Sequence, residues 1–294
     1  MPYLTRLHVL HKRFTSLDQL ARIISSIPSL QEIYLQDVQC DPRPAPPFPH
    51  NPRFLDHLSI QGCILSLEQI SAFLKLSVPL PPRTALAKAT PSAEAAETRI
   101  SAVDALTAVN IATVLLASYY TPDVDHIGQY WQQICLSVQH THEAKTNDFQ
   151  WILSLQERSG NGPRSSSSRE VLRLSIAFRS AERGLPGTIR QLTIDLYNCY
   201  KPRPVTHWPE FRLALGAVDN LILPLPHCTE FVLRIRDYST WDEPWLPALE
   251  KHAREIDESV HRAMPHACAK GSVRVEHLGT VDVKNERVVG PWRP

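Results

Sequence analysis

Glycine is scarce in this chain, 10 of 294 residues, and the turns that cradle phosphates are missing with it. Gly160-Asn-Gly162 runs into Pro163 and a serine stretch rather than a helix, so it cannot form a dinucleotide fingerprint. No GxxxxGK[ST] loop and no GxSxG elbow occur. An excess of one charge is also missing. Lys+Arg number 31 against 30 Asp+Glu, a net charge of +1. That excludes a general nucleic-acid binder, which needs surplus cations to displace counterions, and a polybasic membrane anchor. No Cys-x-x-Cys pair exists among the six cysteines, and the closest two, Cys40 and Cys63, are 23 apart. In a chain with an ample core, free buried thiols are expected rather than a disulfide framework. Long apolar runs are lacking. Ile100–Tyr120 is interrupted by Asp104, which leaves 16 uncharged residues, several of them Ser, Thr or Asn. A spanning helix needs about 20 mostly apolar residues, so a buried helix is expected and no membrane association. No apolar stretch follows a basic start and no Asn-x-Ser/Thr site occurs. Both features predict an intracellular protein, cytoplasmic or nuclear.

Proline, in contrast, is abundant at 25 residues, and the hydrophobic fraction of 43% is that of a globular protein. The most specific feature is an internal repeat. Leu4-Thr-Arg-Leu7-His-Val9, Leu30-Gln-Glu-Ile33-Tyr-Leu35 and Leu55-Asp-His-Leu58-Ser-Ile60 share one pattern, apolar-x-x-apolar-x-apolar. Leu7, Ile33 and Leu58 are 26 and 25 residues apart. Ser16-Leu-Asp-Gln-Leu20 is echoed 50 residues later by Ser66-Leu-Glu-Gln-Ile70. Each opens an amphipathic helix, with Leu17, Leu20, Ile23, Ile24 and Ile27 on one face of the first and Leu67, Ile70, Phe73 and Leu74 on one face of the second. Serine before the apolar run, with an acid two residues on, suits a helix start, and Pro28 ends the first helix. The middle unit carries the proline-rich excursion that starts at Asp41 in place of a helix.

Residues 77–98 are rich in Pro, Ala, Ser and Thr and read as a linker or insertion between residues 1–76 and 99–294. Beyond them the pattern predicts a helix at Ile100–Ala117 and strands at Phe149–Leu155, Val171–Phe178, Ile189–Leu196, Glu230–Ile235 and Ser272–Glu276. Two further helices are expected at Trp208–Val218 and from about Pro244 to Ala263. Residues 122–138 give no clear pattern. Strand–helix–strand order at both ends implies parallel pairing. In the middle, 147–197, the strands lie too close for full intervening helices, which leaves short-linked repeats or an antiparallel patch. The fold expected is α/β: an irregular, leucine-rich-repeat-like solenoid with parallel strands and intervening helices.

The unit LTRLHVLHKRFTSLDQLARIISSIPSLQEIYLQDVQC resembles the irregular leucine-rich repeats of fungal F-box-like proteins. The stretch Leu246–Val275 is similar in layout to their last helix and closing strand. The resemblance covers about two thirds of the chain. It implies a curved solenoid that binds other proteins and, in complete members, an F-box that docks on the adaptor of a cullin ubiquitin ligase. No segment resembling an F-box precedes the first repeat here.

The repeat pattern also predicts a surface. Side chains alternate along a strand, so Leu7 and Val9 turned inward leave Arg6 and His8 outward. The same alternation exposes Glu32, Tyr34 and Gln36, then His57, Ser59 and Gln61. Later strands add Arg173, Ser175, Thr193, Asp195, Arg234 and Arg236. Arg6, His8, Glu32, Tyr34, His57, Arg173, Asp195, Arg234 and Arg236 are therefore the candidate residues for binding a protein partner, because Tyr and Arg are frequent interface anchors. His140-x-His142-Glu143 and Asp123-x-Asp125-His126 bring ligand types together, but metal sites need three or four convergent groups and HExxH is incomplete. No cofactor, metal or small-molecule site is expected, and no catalytic residue. Two other readings stand beside the binding module: an intracellular enzyme whose site is assembled from distant residues, or a degenerate copy without activity.

Overall fold

A computed structural model of the chain describes residues 4–41, 55–78, 100–119, 134–143, 148–158, 168–179, 187–197, 208–225, 227–237, 246–283 and 286–292. The proline-rich excursion, most of the 77–98 linker, the serine loop and Asp123–His126 lie outside the described residues. The chain folds in the order β1 (Arg6–Leu10), β2 (Arg13–Phe14), α1 (Leu17–Ser25), β3 (Glu32–Gln36), β4 (Gln39–Cys40), β5 (His57–Gln61) and α2 (Leu67–Ser77). Then come α3 (Ala102–Tyr119), β6 (Ile134–Glu143), β7 (Asp148–Arg158), β8 (Ser168–Arg179), β9 (Thr188–Tyr197) and α4 (Trp208–Ile222). The last elements are β10 (Glu230–Asp237), α5 (Leu246–Ala263), the short α6 (Pro265–Ala269), β11 (Val273–Val283) and β12 (Glu286–Trp292).

Ten strands form one sheet in the order β1-β3-β5-β6-β7-β8-β9-β10-β11-β12, while β2 and β4 pair separately. The expected parallel pairing holds at the two wings, β1–β3–β5 and β9–β10–β11. From β5 to β9 the pairing is antiparallel instead. From β6 to β9 the reason is chain length. Only four residues separate β6 from β7, nine separate β7 from β8, and eight separate β8 from β9. A parallel crossover needs about a dozen residues or more. β11 and β12 close the sheet as an antiparallel hairpin, so the expected terminal strand is longer than 272–276 and has a partner. β6 takes residues 134–138, the end of the stretch whose pattern was unclear. Because β5 pairs with β6, residues on both sides of the expected linker share one sheet.

The register sets an apolar inner face. Leu7, Ile33, Leu58, Val138, Leu153, Leu174, Ile194, Leu233 and Val275 form one unbroken cross-strand row. Val9, Leu35, Ile60, Leu136, Leu155, Leu172, Leu196 and Ile235 form the next, which ends on His277. Burying each such aliphatic side chain is worth about 1.5–3 kcal/mol. Helices α2, α3, α4 and α5 pack side by side against this layer. α3 is apolar nearly all round, and its Ala105, Ala108 and Ala112 are buried, small enough to let the helix sit in the middle of the layer. No described helix is long and apolar enough to cross a membrane.

Polar side chains tie the helices down at a few points. Asp104, which breaks the apolar run in the sequence, is buried and accepts the Ile189 N–H at 3.0 Å. Asp219 on α4 is buried and accepts the backbone N–H groups of His266 and Ala267 at 3.0 and 2.9 Å, capping α6. His277, at the end of the second inner row, is held by Asp257 of α5 at 2.8 Å through Nε2. Trp151 is fully buried and donates from Nε1 to Ser77 Oγ at 3.3 Å.

The wing β1–β3–β5 is periodic beyond its apolar pattern. Each strand is followed by a residue in the left-handed region: His11 (φ 50°), Asp37 (φ 53°) and Gly62 (φ 61°). The bend lets His11 N–H donate to Gln36 O and Asp37 N–H donate to Gln61 O, both at 2.9 Å. Cys63, buried after the third bend, lies 3.4 Å from Val38 N and from Leu35 O. α2 begins with a full capping box, in which Gln69 N–H donates to Ser66 Oγ at 3.2 Å and Ser66 N–H donates to Gln69 Oε1 at 2.9 Å. Ser16 makes no such side-chain cap for α1 although its sequence is nearly the same. The difference has a source. The Gln69 side chain also donates to Asp41 O at 2.9 Å, a carbonyl supplied by the preceding unit, and α1 has no described unit on that side.

Candidate binding surface

The outer face of the sheet carries two further unbroken rows. One runs Arg6, Glu32, His57, Gln139, Ile152, Ser175, Thr193, Val232, Arg274. The other runs His8, Tyr34, Ser59, Ser137, Ser154, Arg173, Asp195, Arg234, Glu276. Eight of the nine candidate residues therefore share one face and two rows, although they come from six strands spread over more than 220 residues of sequence. Arg236 occupies the next register position on β10, between Tyr197 and Leu278, and its side chain lies outside the described residues.

The face divides into three zones. On β1, β3 and β5 rings stack across the strands. The His8 and Tyr34 rings are 4.4 Å apart and nearly parallel at 13°, and the His57 ring follows at 4.9 Å, tilted by 35°. Glu32 organises this group: its Oε2 accepts from Tyr34 Oη at 3.0 Å and from Arg6 Nε at 3.0 Å. Burial, the Glu32 hydrogen bond and the Glu32 charge push the Tyr34 phenol above its ordinary pKa, with Arg6 opposing. Burial holds the His57 imidazole below its ordinary value against the pull of Glu32. At neutral pH the Tyr34 and His57 rings are thus uncharged, set beside the Arg6–Glu32 ion pair.

The middle zone, on β6 to β8, is mostly uncharged and polar, with Gln139 exposed and Ser137, Gln150, Gln156 and Ser175 partly exposed. Ser154 is buried there and donates to Glu170 Oε1 at 2.6 Å. The third zone is a closed charge network. Arg234 Nε meets Glu276 at 2.8 Å, Arg274 meets Glu276 at 2.8 Å and Glu230 at 2.9 Å, and Val232 between them is fully buried. Asp195 departs from the exposure expected of it. It is 3% exposed, set between Arg173 and Arg234 in the register, and so is closed off from a partner. Arg234 is likewise largely engaged. The accessible candidates are those of the first zone, Arg6, His8, Glu32, Tyr34 and His57, together with the partly exposed Arg173.

Residues that sequence reasoning missed come from β6 and β7. The alternation Ile134-Cys-Leu136-Ser-Val138-Gln139 is the period-two signal that would have placed Ser137 and Gln139 on this face. Burial pushes the Cys40 thiol up to about 11 and the Cys63 thiol up to about 12, and Cys228 and Cys268 are raised as well. Thiols so shifted are poor nucleophiles. The five described cysteines are free thiols. Among the described residues no three His, Cys, Asp or Glu side chains gather as metal ligands, and the side chains of His142 and Glu143 lie outside that set. No protein family, curated protein or solved structure matches this chain.

Proposed function

We propose that this chain is a non-catalytic protein-interaction module that captures a protein partner on the outer face of its sheet, centred on Tyr34. The observation that carries the reading is the stacked ladder His8–Tyr34–His57, held by Glu32 and Arg6 on three short parallel strands. Rings fixed by a rigid backbone lose little freedom on binding, and a tyrosine at the centre of such a group is a typical anchor. The uncharged polar middle zone extends the contact area without requiring charge desolvation.

The same wing supports a finer reading of the fold, an irregular leucine-rich-repeat-like solenoid interrupted by an antiparallel centre. Its support is the recurrence of strand and left-handed residue at 26 and 25 residues, from His11 to Asp37 to Gly62, with a buried residue, Val38 and then Cys63, after the second and third bends. With the resemblance to fungal F-box-like proteins, this would make the chain a substrate-recognition part of an F-box-type ubiquitin ligase, acting in the cytoplasm or nucleus.

The test places a photo-crosslinking residue at Ser59 on the outer face and, separately, at Glu258, exposed on α5. Adducts are expected from Ser59 alone, and Tyr34→Ala with His57→Ala should weaken partner capture by about tenfold or more. Arg234→Ala, which mainly breaks an internal ion pair, should weaken it less. Capture unchanged by the Tyr34 and His57 substitutions in a folded protein would refute the reading.

A further inference from the structure

The outer edge of β1 points to a second binding mode, independent of the face. Among the described strands β1 has a neighbour on one side only. In its ladder with β3, Glu32 N–H donates to Thr5 O and His11 N–H donates to Gln36 O. The alternation of a parallel ladder then turns the amides of Leu7 and Val9 toward β3 and those of Arg6, His8 and Leu10 away from it. A row of backbone donors and acceptors therefore faces outward in the plane of the sheet.

The apolar layer is incomplete at the same place. Ile33 and Leu35 on β3, and Leu58 and Ile60 on β5, are at most 2% exposed. Their equivalents on β1, Leu7 and Val9, are only partly buried, and Leu4, Leu10 and Ile23 beside them are 38%, 52% and 41% exposed. The charges are layered as well. Cations form the outermost row, with the Arg6 and Arg13 side chains 67% and 77% exposed and Lys12 exposed between the strands. Their acids Glu32, Asp37 and Asp41 lie one strand further in, 3.0 Å from Arg6, 3.1 Å from His11 and 3.5 Å from Arg13.

We propose that β1 accepts an extended acidic segment of another protein as an added strand, with apolar residues beside Leu7 and Val9 and acidic residues beside Arg6 and Lys12. Main-chain bonds to Arg6, His8 and Leu10 supply affinity, and alternate side chains supply selectivity. The charge layering selects this occupant. An acidic strand continues the alternation of cation and anion across the sheet, whereas a second copy of the chain would set two cationic edges side by side.

The experiment uses the 294-residue chain and a labelled eight-residue peptide that alternates Glu with Val, against its counterpart with Lys for Glu. Fluorescence anisotropy should show saturable binding of the acidic peptide and at least tenfold weaker binding of the basic one. Hydrogen exchange should show new protection at the amides of Arg6, His8 and Leu10, with Leu7 and Val9 unchanged. Leu10→Pro removes an outward N–H that β3 does not use and is tolerated at an edge. It should weaken binding about fivefold or more, as should Lys12→Glu. Tyr34→Ala with His57→Ala should leave the affinity within about twofold, which separates this edge from the outer face. Equal binding of both peptides, no binding by a folded protein, or unchanged affinity in Lys12→Glu would overturn the proposal. So would concentration-dependent dimerisation that protects the same amides without peptide, because the occupant would then be a second copy.

Discussion

Asp219 offers the sharpest test of how the helical layer is held. Its carboxylate is nearly sealed from solvent, and Oδ1 accepts Ala267 N–H at 2.9 Å while Oδ2 accepts His266 N–H at 3.0 Å. With a proton on Nδ1, the His266 ring adds a third bond at 2.9 Å. Asp219→Asn keeps the volume but replaces one acceptor oxygen by an NH2 group, which then faces a donor. A bond to a buried charge contributes about 1.5–3 kcal/mol, and a buried donor left unpaired costs about 1–3 kcal/mol. The expected loss is about 2–4 kcal/mol, and Asp219→Ala should lose at least as much. Urea unfolding followed by circular dichroism reads it directly: the midpoint should fall at constant m. Native-state hydrogen exchange should show the His266 and Ala267 amides opening faster than their neighbours. The His266 side chain is 46% exposed, so His266→Ala should cost less than about 1 kcal/mol. An Asn variant within about 0.5 kcal/mol of the parent would refute the idea that this carboxylate anchors α6.

Asp104→Ala orphans the Ile189 N–H at the start of β9 and should cost about 1–3 kcal/mol in the same urea assay; no loss would mean that water replaces the carboxylate. Gly62→Ala places a Cβ at φ 61° and should cost about 1–2 kcal/mol, read as a lower melting temperature. Cys40 and Cys63, raised to about 11 and about 12, should resist alkylation at pH 8 in the native protein and react fully in urea. Because their folded pKa values lie above the ordinary value of 9.0, the stability they contribute is complete below about pH 9 and is lost as pH rises beyond it. A urea midpoint that does not fall between pH 8 and pH 10 would contradict that sign.

Sequence pattern located the parallel wing because its signals are local. Leu7, Ile33 and Leu58 recur in fixed positions, and the strands built on them lie side by side in register. The left-handed bends were illegible, since His11, Asp37 and Gly62 share a conformation but no chemistry. The strand direction between β6 and β9 needed loop lengths, which the pattern of apolar residues carries only indirectly. Asp104 read as an interruption of an apolar run, and Asp219, one residue past the expected helix, gave no signal, because their partners, Ile189 and the His266–Ala267 pair, lie 85 and 47–48 residues away. On the outer face, alternation placed the candidates on one side. It could not tell the open ladder around Tyr34 from the ion pairs around Arg234, because only cross-strand register separates a charge that faces solvent from one already matched.

In the ten-stranded sheet, every strand lies between its neighbours in sequence, apart from the small β2 and β4. Such a chain is assembled like a stack, with no strand threaded between two others that precede it. Each strand depends on the two beside it and hardly at all on the rest. Opening should then spread inward from the ends, and the slowest amide exchange should fall in the long β7 and β8 rather than at either wing. The same connectivity lets whole units be gained or lost at an end without rerouting what remains.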